Sequence, residues 1–359
     1  SHSHRKHHFH FPKLNKSDSL LQHLREEGQH EPMARTAEPR PAQCMYARTM
    51  GAVIYHKSES VMFTPACMNR EGPHERLHDS ISSFLGRSPP DGIPRKWERF
   101  SDIAILPADS FRGSDWEEIL GPDLWESVAK GLDVKRVGIM GEVSGSTRKS
   151  GVKMVYGEDD WVIRRENGVD YGYHLTKCMF SAGNVNERRR MGEIVSMGEV
   201  VVDLFTGIGY YSLPILVHSE ASHVHCCEWN DDAIKSLEWG LKRNDVEARC
   251  TIHRGDNRDT SKTIGKVANR VVMGLLPSSE GSIGAAMEVL SNSGGELHIH
   301  GLAKPGEYSS LAERIVTEIE GYRMGYNVEI EKLNRIKSYA PHWDHVVVDV
   351  LCHNPLNSS

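Results

Sequence analysis

No stretch of this 359-residue chain reaches 18 consecutive apolar residues, and its first residues, SHSHRKHHFHF, lack the apolar core of a secretory signal. A bilayer span needs about 20 apolar residues, so neither a membrane segment nor export is expected, and a cytoplasmic setting is. Paired thiols are missing too. Cys44, Cys67, Cys178, Cys226, Cys227, Cys250 and Cys352 include no Cys-x-x-Cys and are odd in number, which argues for reduced thiols. Positive charge is not in excess: 43 Lys and Arg face 49 Asp and Glu, a formal −6. That excludes a uniformly basic nucleic-acid binder but leaves room for a local cationic face. One is expected between Lys130 and Arg190, where Lys135, Arg136, Arg148, Lys149, Lys153, Arg164, Arg165, Lys177, Arg188 and Arg189 fall.

What is present suffices for two folded domains and a tail. Residues 1–95 are rich in His, Pro and charge with poor periodicity, and little packed structure is expected there. Residues 96–177 read as a small α+β domain. RFSDIAILPADSF gives a strand and turn, and SDWEEILGPDLWESVAKGLDV gives one or two helices with Leu120, Leu124 and Val128 on one side. The stretch VKMVYGEDDWVIRRENGVDYGYHL alternates about two turns, of which Asn167-Gly168 is the stronger hairpin signal.

From 178 to 355 strands and helices alternate: VVVDLF, HVHCCEW, CTIHRGD, RVVMGLL and GELHIHGLA are each followed by a helical pattern. NVEIEKLNRIKSYAPHWDHVVVDVLC then adds two strands around Pro341. This predicts an α/β fold, a class I methyltransferase-like, Rossmann-like doubly wound sheet ending in an antiparallel hairpin.

The chemistry is expected at the carboxyl ends of these strands. In VVVDLFTGIGYYSLP, Gly207 and Gly209 let the backbone pass close to a ligand before a helix begins near Tyr210. The third glycine of the dinucleotide fingerprint is missing, since Ser212 stands there, and Asp203 precedes the turn. An acid at that point disfavours a pyrophosphate and favours a cationic, amino-bearing nucleoside, S-adenosylmethionine. Glu228, nineteen positions after Gly209, is placed for ribose hydroxyls, and Asp256-Asn257 for the amine and ring nitrogen of adenine. Upstream, Ser181 and Arg188 are seven apart in KCMFSAGNVNERRRM and would share one face if helical, with the arginine gripping a carboxylate. After the fourth strand, GLLPSSE carries Pro277, Ser278 and Ser279 where an amino-directed methyltransferase commonly has N/D-P-P-Y/F. No general base is assigned, and no closed metal-ligand set is evident.

CMFSAGNVNERRRM, the glycine-turn segment, CEWNDDAI, HRGDNRD, GLLPSSEGS, GGELHIHG and IKSYAPHWDHVVVDV together resemble the tRNA wybutosine-synthesizing protein 2 family, over roughly residues 97–352. The sibling tRNA guanine-37 N1-methyltransferases share the fold but have an N-L-P-type segment after the fourth strand. The resemblance implies transfer of the 3-amino-3-carboxypropyl group of S-adenosylmethionine to 4-demethylwyosine at position 37 in the anticodon loop of tRNA(Phe), releasing methylthioadenosine. It also implies that Ser181, Arg188, Glu228 and Asp256-Asn257 contact the co-substrate, while Asp203 and the Pro277 loop shape the pocket. No protein partner is inferred. The alternatives are a guanine-37 methyltransferase and a non-catalytic RNA-binding scaffold.

Overall fold

A computed structural model describes residues 72–141, 150–322 and 325–354. The described residues fall in one compact unit. The His-rich start and the cations Arg148 and Lys149 lie outside the described residues.

The chain is already helical well before Trp97. Helix α1 (Pro73–Leu85) starts with Pro73 in its first turn and stops at Gly86, whose φ of 62° closes the helix in a left-handed conformation. The expectation for 1–95 therefore fails over this stretch. Leu77 and Ile81, one helical turn apart, are fully buried, and this periodicity was readable in ERLHDSISSFL. Strands β1 (Glu98–Phe100) and β2 (Ile103–Leu106) follow, then the single turn α2 (Ser114–Glu117) and helix α3 (Pro122–Leu132). α3 packs on α1 through Gly131: a Cβ there would stand 2.8 Å from Leu77 Cα. Leu124 and Val128 are buried as expected, but Leu120 precedes the helix and is 45% exposed.

Strands β3 (Arg136–Ile139) and β4 (Lys153–Tyr156) complete a sheet ordered β1-β2-β3-β4. β5 (Trp161–Glu166) and β6 (Val169–His174) pair with each other across Asn167-Gly168, both at positive φ, as that dipeptide predicts. The expected pairing across the first turn does not form: β4 ends the first sheet as its edge strand, and β5 pairs with β6 instead. The β5–β6 ribbon instead lies against the second domain, where Gly172 admits the ring of Trp239.

A 3₁₀ turn (Ala182–Asn184) leads into α4 (Val185–Ile194). The large sheet then builds as β7 (Val200–Asp203), α5 (Ser212–His218), β8 (His223–Glu228), α6 (Asp231–Arg243), β9 (Cys250–Arg254), α7 (Asn257–Ile264), β10 (Arg270–Met273), α8 (Ile283–Val289), β11 (Gly294–Ala303), α9 (Tyr308–Tyr322), β12 (Asn327–Ala340) and β13 (Trp343–His353). Its order is β12-β13-β11-β10-β7-β8-β9, with five parallel strands and an antiparallel pair at one edge. The central strands β7 and β10 are covered on both faces and read as near-continuous apolar runs, whereas the edge strand β9 is partly exposed. Pro214 sits in the first turn of α5, where the amide it lacks would have no helical acceptor.

Candidate functional site

The carboxyl ends of β7, β8 and β9 each deliver the acid expected of them, but two of the three are engaged by their own neighbourhood. Asp203 is fully buried, accepting from Ser212 Oγ at 2.7 Å and from the Phe205 amide at 3.1 Å. Burial raises its pKa to about 6, with Ser212 opposing the shift. It therefore braces the glycine turn rather than facing a ligand. The two glycines serve the same packing. Gly207 has a φ of +57°, and a Cβ on it would strike the ring of Tyr210 at 2.5 Å. At Gly209, φ is +96° and a Cβ would meet Leu213 at 2.6 Å.

Glu228 is only half-buried and stands at the rim. One carboxylate oxygen accepts from the amides of Trp229 and Asn230, the other from Gly207 at 2.8 Å. Burial raises its pKa, and these amides oppose the rise. A carboxylate offers about four acceptor positions, so capacity remains for a hydroxyl. Asp256 caps α7 through the Arg258 amide and is paired to the Arg258 side chain, which holds its carboxyl below the usual range. Asn257 is buried, donating to the Leu204 carbonyl at 2.9 Å and accepting from Ser282 Oγ. The α7 start is thereby fastened to the turn after β7.

Pro277 lies after β10, where its carbonyl accepts from the Leu302 amide at 3.1 Å and Ser279 Oγ donates to the His300 carbonyl. These bonds, rather than capping of α8, occupy Ser279, and Ser282 turns to Asn257.

On the other side of the turn, Tyr210 reaches back through its hydroxyl to the Met179 carbonyl, which brings residues 179–184 to the same rim. Ser181 and Arg188 do meet: the guanidinium donates to the Ser181 carbonyl at 3.0 Å. It is 1% exposed, though, and bonded through two nitrogens to Glu166 at 2.5 and 2.9 Å, with Phe180 stacked 4.5 Å away. The expected carboxylate clamp is already filled by the protein's own carboxylate. Lys337, in the KSYAP segment, was not singled out from sequence. It donates to Ser181 Oγ at 2.7 Å.

The wider cationic face is also largely paired off. Arg136 bonds Asp102, Arg165 lies by Asp170, Lys177 by Asp232, and Arg189 by Glu193. Asp159, Asp160 and His174 converge closely enough to face one cation, but Asp160 is bonded to His174 and Thr176. Among the described residues no helix is long and apolar enough to cross a membrane.

Strand order, terminal hairpin and strand-end acids define a class I S-adenosylmethionine methyltransferase fold. Residues 162–330 match the TRM5/TYW2 methyltransferase domain and residues 77–160 the TYW2 N-terminal domain. The chain belongs to the tRNA wybutosine-synthesizing protein 2 family. It is 37% identical over 316 residues to the Bos taurus tRNA wybutosine-synthesizing protein 2 homolog, covering 72% of this chain and 71% of the relative. With the Arabidopsis thaliana tRNA wybutosine-synthesizing protein 2/3/4 it shares 41% identity over 79% of this chain, yet spans only 29% of that protein's length. Among solved structures, P. horikoshii TYW2 in complex with MeSAdo is similar at 30% identity and a TM-score of 0.64, covering 77% of this chain and 99% of that one. M. jannaschii TYW2 in complex with AdoMet is similar at 26% identity and a TM-score of 0.57, covering 72% of this chain and 100% of that one.

Proposed function

We propose that this protein is an S-adenosylmethionine-dependent transferase that moves the 3-amino-3-carboxypropyl group to 4-demethylwyosine at position 37 of tRNA(Phe), acting on the anticodon loop in the cytoplasm. The observation that carries the reading is the match of residues 77–160 to the TYW2 N-terminal domain, ahead of a catalytic domain shared by TYW2 and TRM5. The similarity to TYW2 structures holding MeSAdo and AdoMet supports the co-substrate. When bound, that co-substrate supplies three electrophilic carbons on one sulfonium, and the carbon aimed at the nucleophile is the one that reacts.

In this reading Glu228 takes the ribose hydroxyls with its remaining acceptor capacity, and Asp256 and Asn257 border the adenine. Asp203, Gly207 and Gly209 hold the turn beneath the sulfur, and the Pro277 loop closes the side from which the base arrives. Mass spectrometry after incubation with S-adenosylmethionine and tRNA bearing 4-demethylwyosine should detect methylthioadenosine. S-adenosylhomocysteine in its place would make the protein a methyltransferase, and salt-dependent tRNA binding without uptake of either ligand would leave a scaffold.

A further inference from the structure

Leu120 shares a periodic spacing with the buried Leu124 and Val128, yet it stays 45% exposed. It lines an open hollow of about 470 Å³ on the small domain. Helix α3 contributes Pro122 and Trp125, one helical turn apart, and the edge strand β4 contributes Val155 and Tyr156. A bulge sets those two side by side. Tyr156 pairs with Val137 and Met154 with the next residue, Gly138, so Val155 has no partner across the strand, and both it and Tyr156 pack towards the helices.

The charges around the hollow are nearly all of one sign. Glu118, Asp123, Glu126, Glu158 and Asp159 are exposed and stand within two residues of a lining residue, against Lys153 alone. Asp159 is paired with Arg136, but among the described residues no cation lies within ion-pair distance of the other four. Elsewhere acids are matched: Asp102 by Arg136, Asp170 by Arg165 and Arg243, Asp232 by Lys177, Glu193 by Arg189. An apolar hollow ringed by unmatched carboxylates repels the phosphates of RNA and attracts Lys and Arg.

We propose that this hollow is a docking site for a basic segment of another protein, with an aliphatic or aromatic side chain seated against Leu120, Trp125 and Tyr156 and its Lys and Arg side chains meeting Glu118, Asp123, Glu126 and Glu158. The apolar anchor supplies affinity by leaving water, and the acidic ring selects the partner and speeds its approach. Glu228 and the Pro277 loop belong to the other sheet, so the inference stands apart from the transferase reading.

Random peptides displayed on phage and selected on the full chain test it. Recovered sequences should carry Lys or Arg around a Leu, Ile, Phe or Trp anchor. Synthetic copies, followed by fluorescence anisotropy, should bind Leu120→Lys about 10-fold or more weakly than the parent. Asp123→Asn with Glu126→Gln should weaken them at low salt and converge on the parent at high salt, where exposed charges are screened. These are surface positions outside the proposed catalytic site, so methylthioadenosine formation should match the parent. Peptides that keep their affinity for Leu120→Lys, a selection enriched in Asp and Glu, or no enrichment at all would each overturn the proposal. Displacement of the peptides by tRNA, or a loss of tRNA modification in Leu120→Lys, would give the hollow to the RNA instead. A parent that forms no methylthioadenosine removes the transferase reading alone, because the peptide selection uses no co-substrate.

Discussion

The two halves of the sheet's rim handle charge in different ways. At the ends of β7, β8 and β9 the charges are acidic and their nearest partners are mostly local in sequence: Phe205 and Ser212 for Asp203, Trp229 and Asn230 for Glu228, Arg258 for Asp256. Beside β11, β12 and β13 the partners come from far along the chain. Arg188 meets Glu166 from 22 positions away, His300 meets His345 from 45, Lys337 meets Ser181 from 156, and Arg190 meets Asp349 from 159. A charge with local partners keeps its environment as long as its loop folds. One with distant partners depends on the whole domain, and its availability to a ligand is decided by which counter-charge the fold delivers.

Removing Arg188 tests this difference most severely. Arg188→Met strips Glu166, whose side chain is 10% exposed, of its two-nitrogen partner and leaves it only Arg164 at 3.9 Å, and breaking a buried pair costs up to about 3–5 kcal/mol. Urea denaturation should show that loss, and Glu166→Gln added to it should restore part. A loss below about 1 kcal/mol would mean that the distant pair holds little together, and the contrast between the halves would collapse.

The next effect is a pH response. His300 Nδ1 and His345 Nε2 share a hydrogen bond of 2.8 Å, both rings are buried, and their outer nitrogens, His300 Nε2 and His345 Nδ1, have no partner among the described residues. Burial, then the charge of His298 on one ring and of His300 on the other, pushes both down to about 3. The unfolded rings titrate near 6.5, so between about pH 6.5 and 3 the unfolded chain holds more protons and stability falls as pH falls. The double variant His300→Gln with His345→Gln should lose less stability than the parent between pH 6.5 and 5. Parallel profiles for the two would remove the pair from the acid response.

The acidic half was legible because its signals are short: a strand, a glycine turn and a helix start lie within fifteen residues, and Glu228 and Asp256-Asn257 end runs of apolar residues. The hairpin at Asn167-Gly168 and the buried Cys226-Cys227 follow from equally local patterns. Which acids remain open was not legible, since Asp203 is closed off by Ser212 only once α5 docks on β7. The pairing of Arg188 with Glu166 was not legible for the same reason: Glu166 sits in a hairpin that nothing in the sequence joins to α4. Lys337 went unread because it lies midway along an alternating strand, where a lysine is ordinarily a solvated edge residue. Helix α1 is a different omission, since its Leu77 and Ile81 spacing and Pro73 start were in view but lay inside a stretch judged by composition.

Asp203 gives an effect of opposite sign to the histidines. Its folded pKa, about 6, lies above the unfolded value of about 3.9, so the folded chain holds more protons in that window and this group's contribution to stability grows as pH falls from 6 towards 4. Asp203→Asn should remove that slope while keeping the Phe205 bond, at a change of about 1–2 kcal/mol at neutral pH. A variant with the parent's slope would show that the buried carboxyl is not what titrates.

The smallest expected effect lies at Arg258, whose side chain is 56% exposed where it pairs with Asp256. Exposed pairs contribute about 0–1 kcal/mol, so Arg258→Ala should scarcely move the urea midpoint, and Asp256 keeps the Arg258 amide as the cap of α7. The substitution frees the outer face of the carboxylate that the proposed function sets beside adenine. Affinity for 5′-methylthioadenosine should therefore hold or rise, because the ligand no longer competes with the guanidinium for Asp256. A clear fall in that affinity would make Arg258 itself part of the ligand's surroundings. The acidic half would then also depend on a cation, and the division of charge between the two ends of the rim would have to be redrawn.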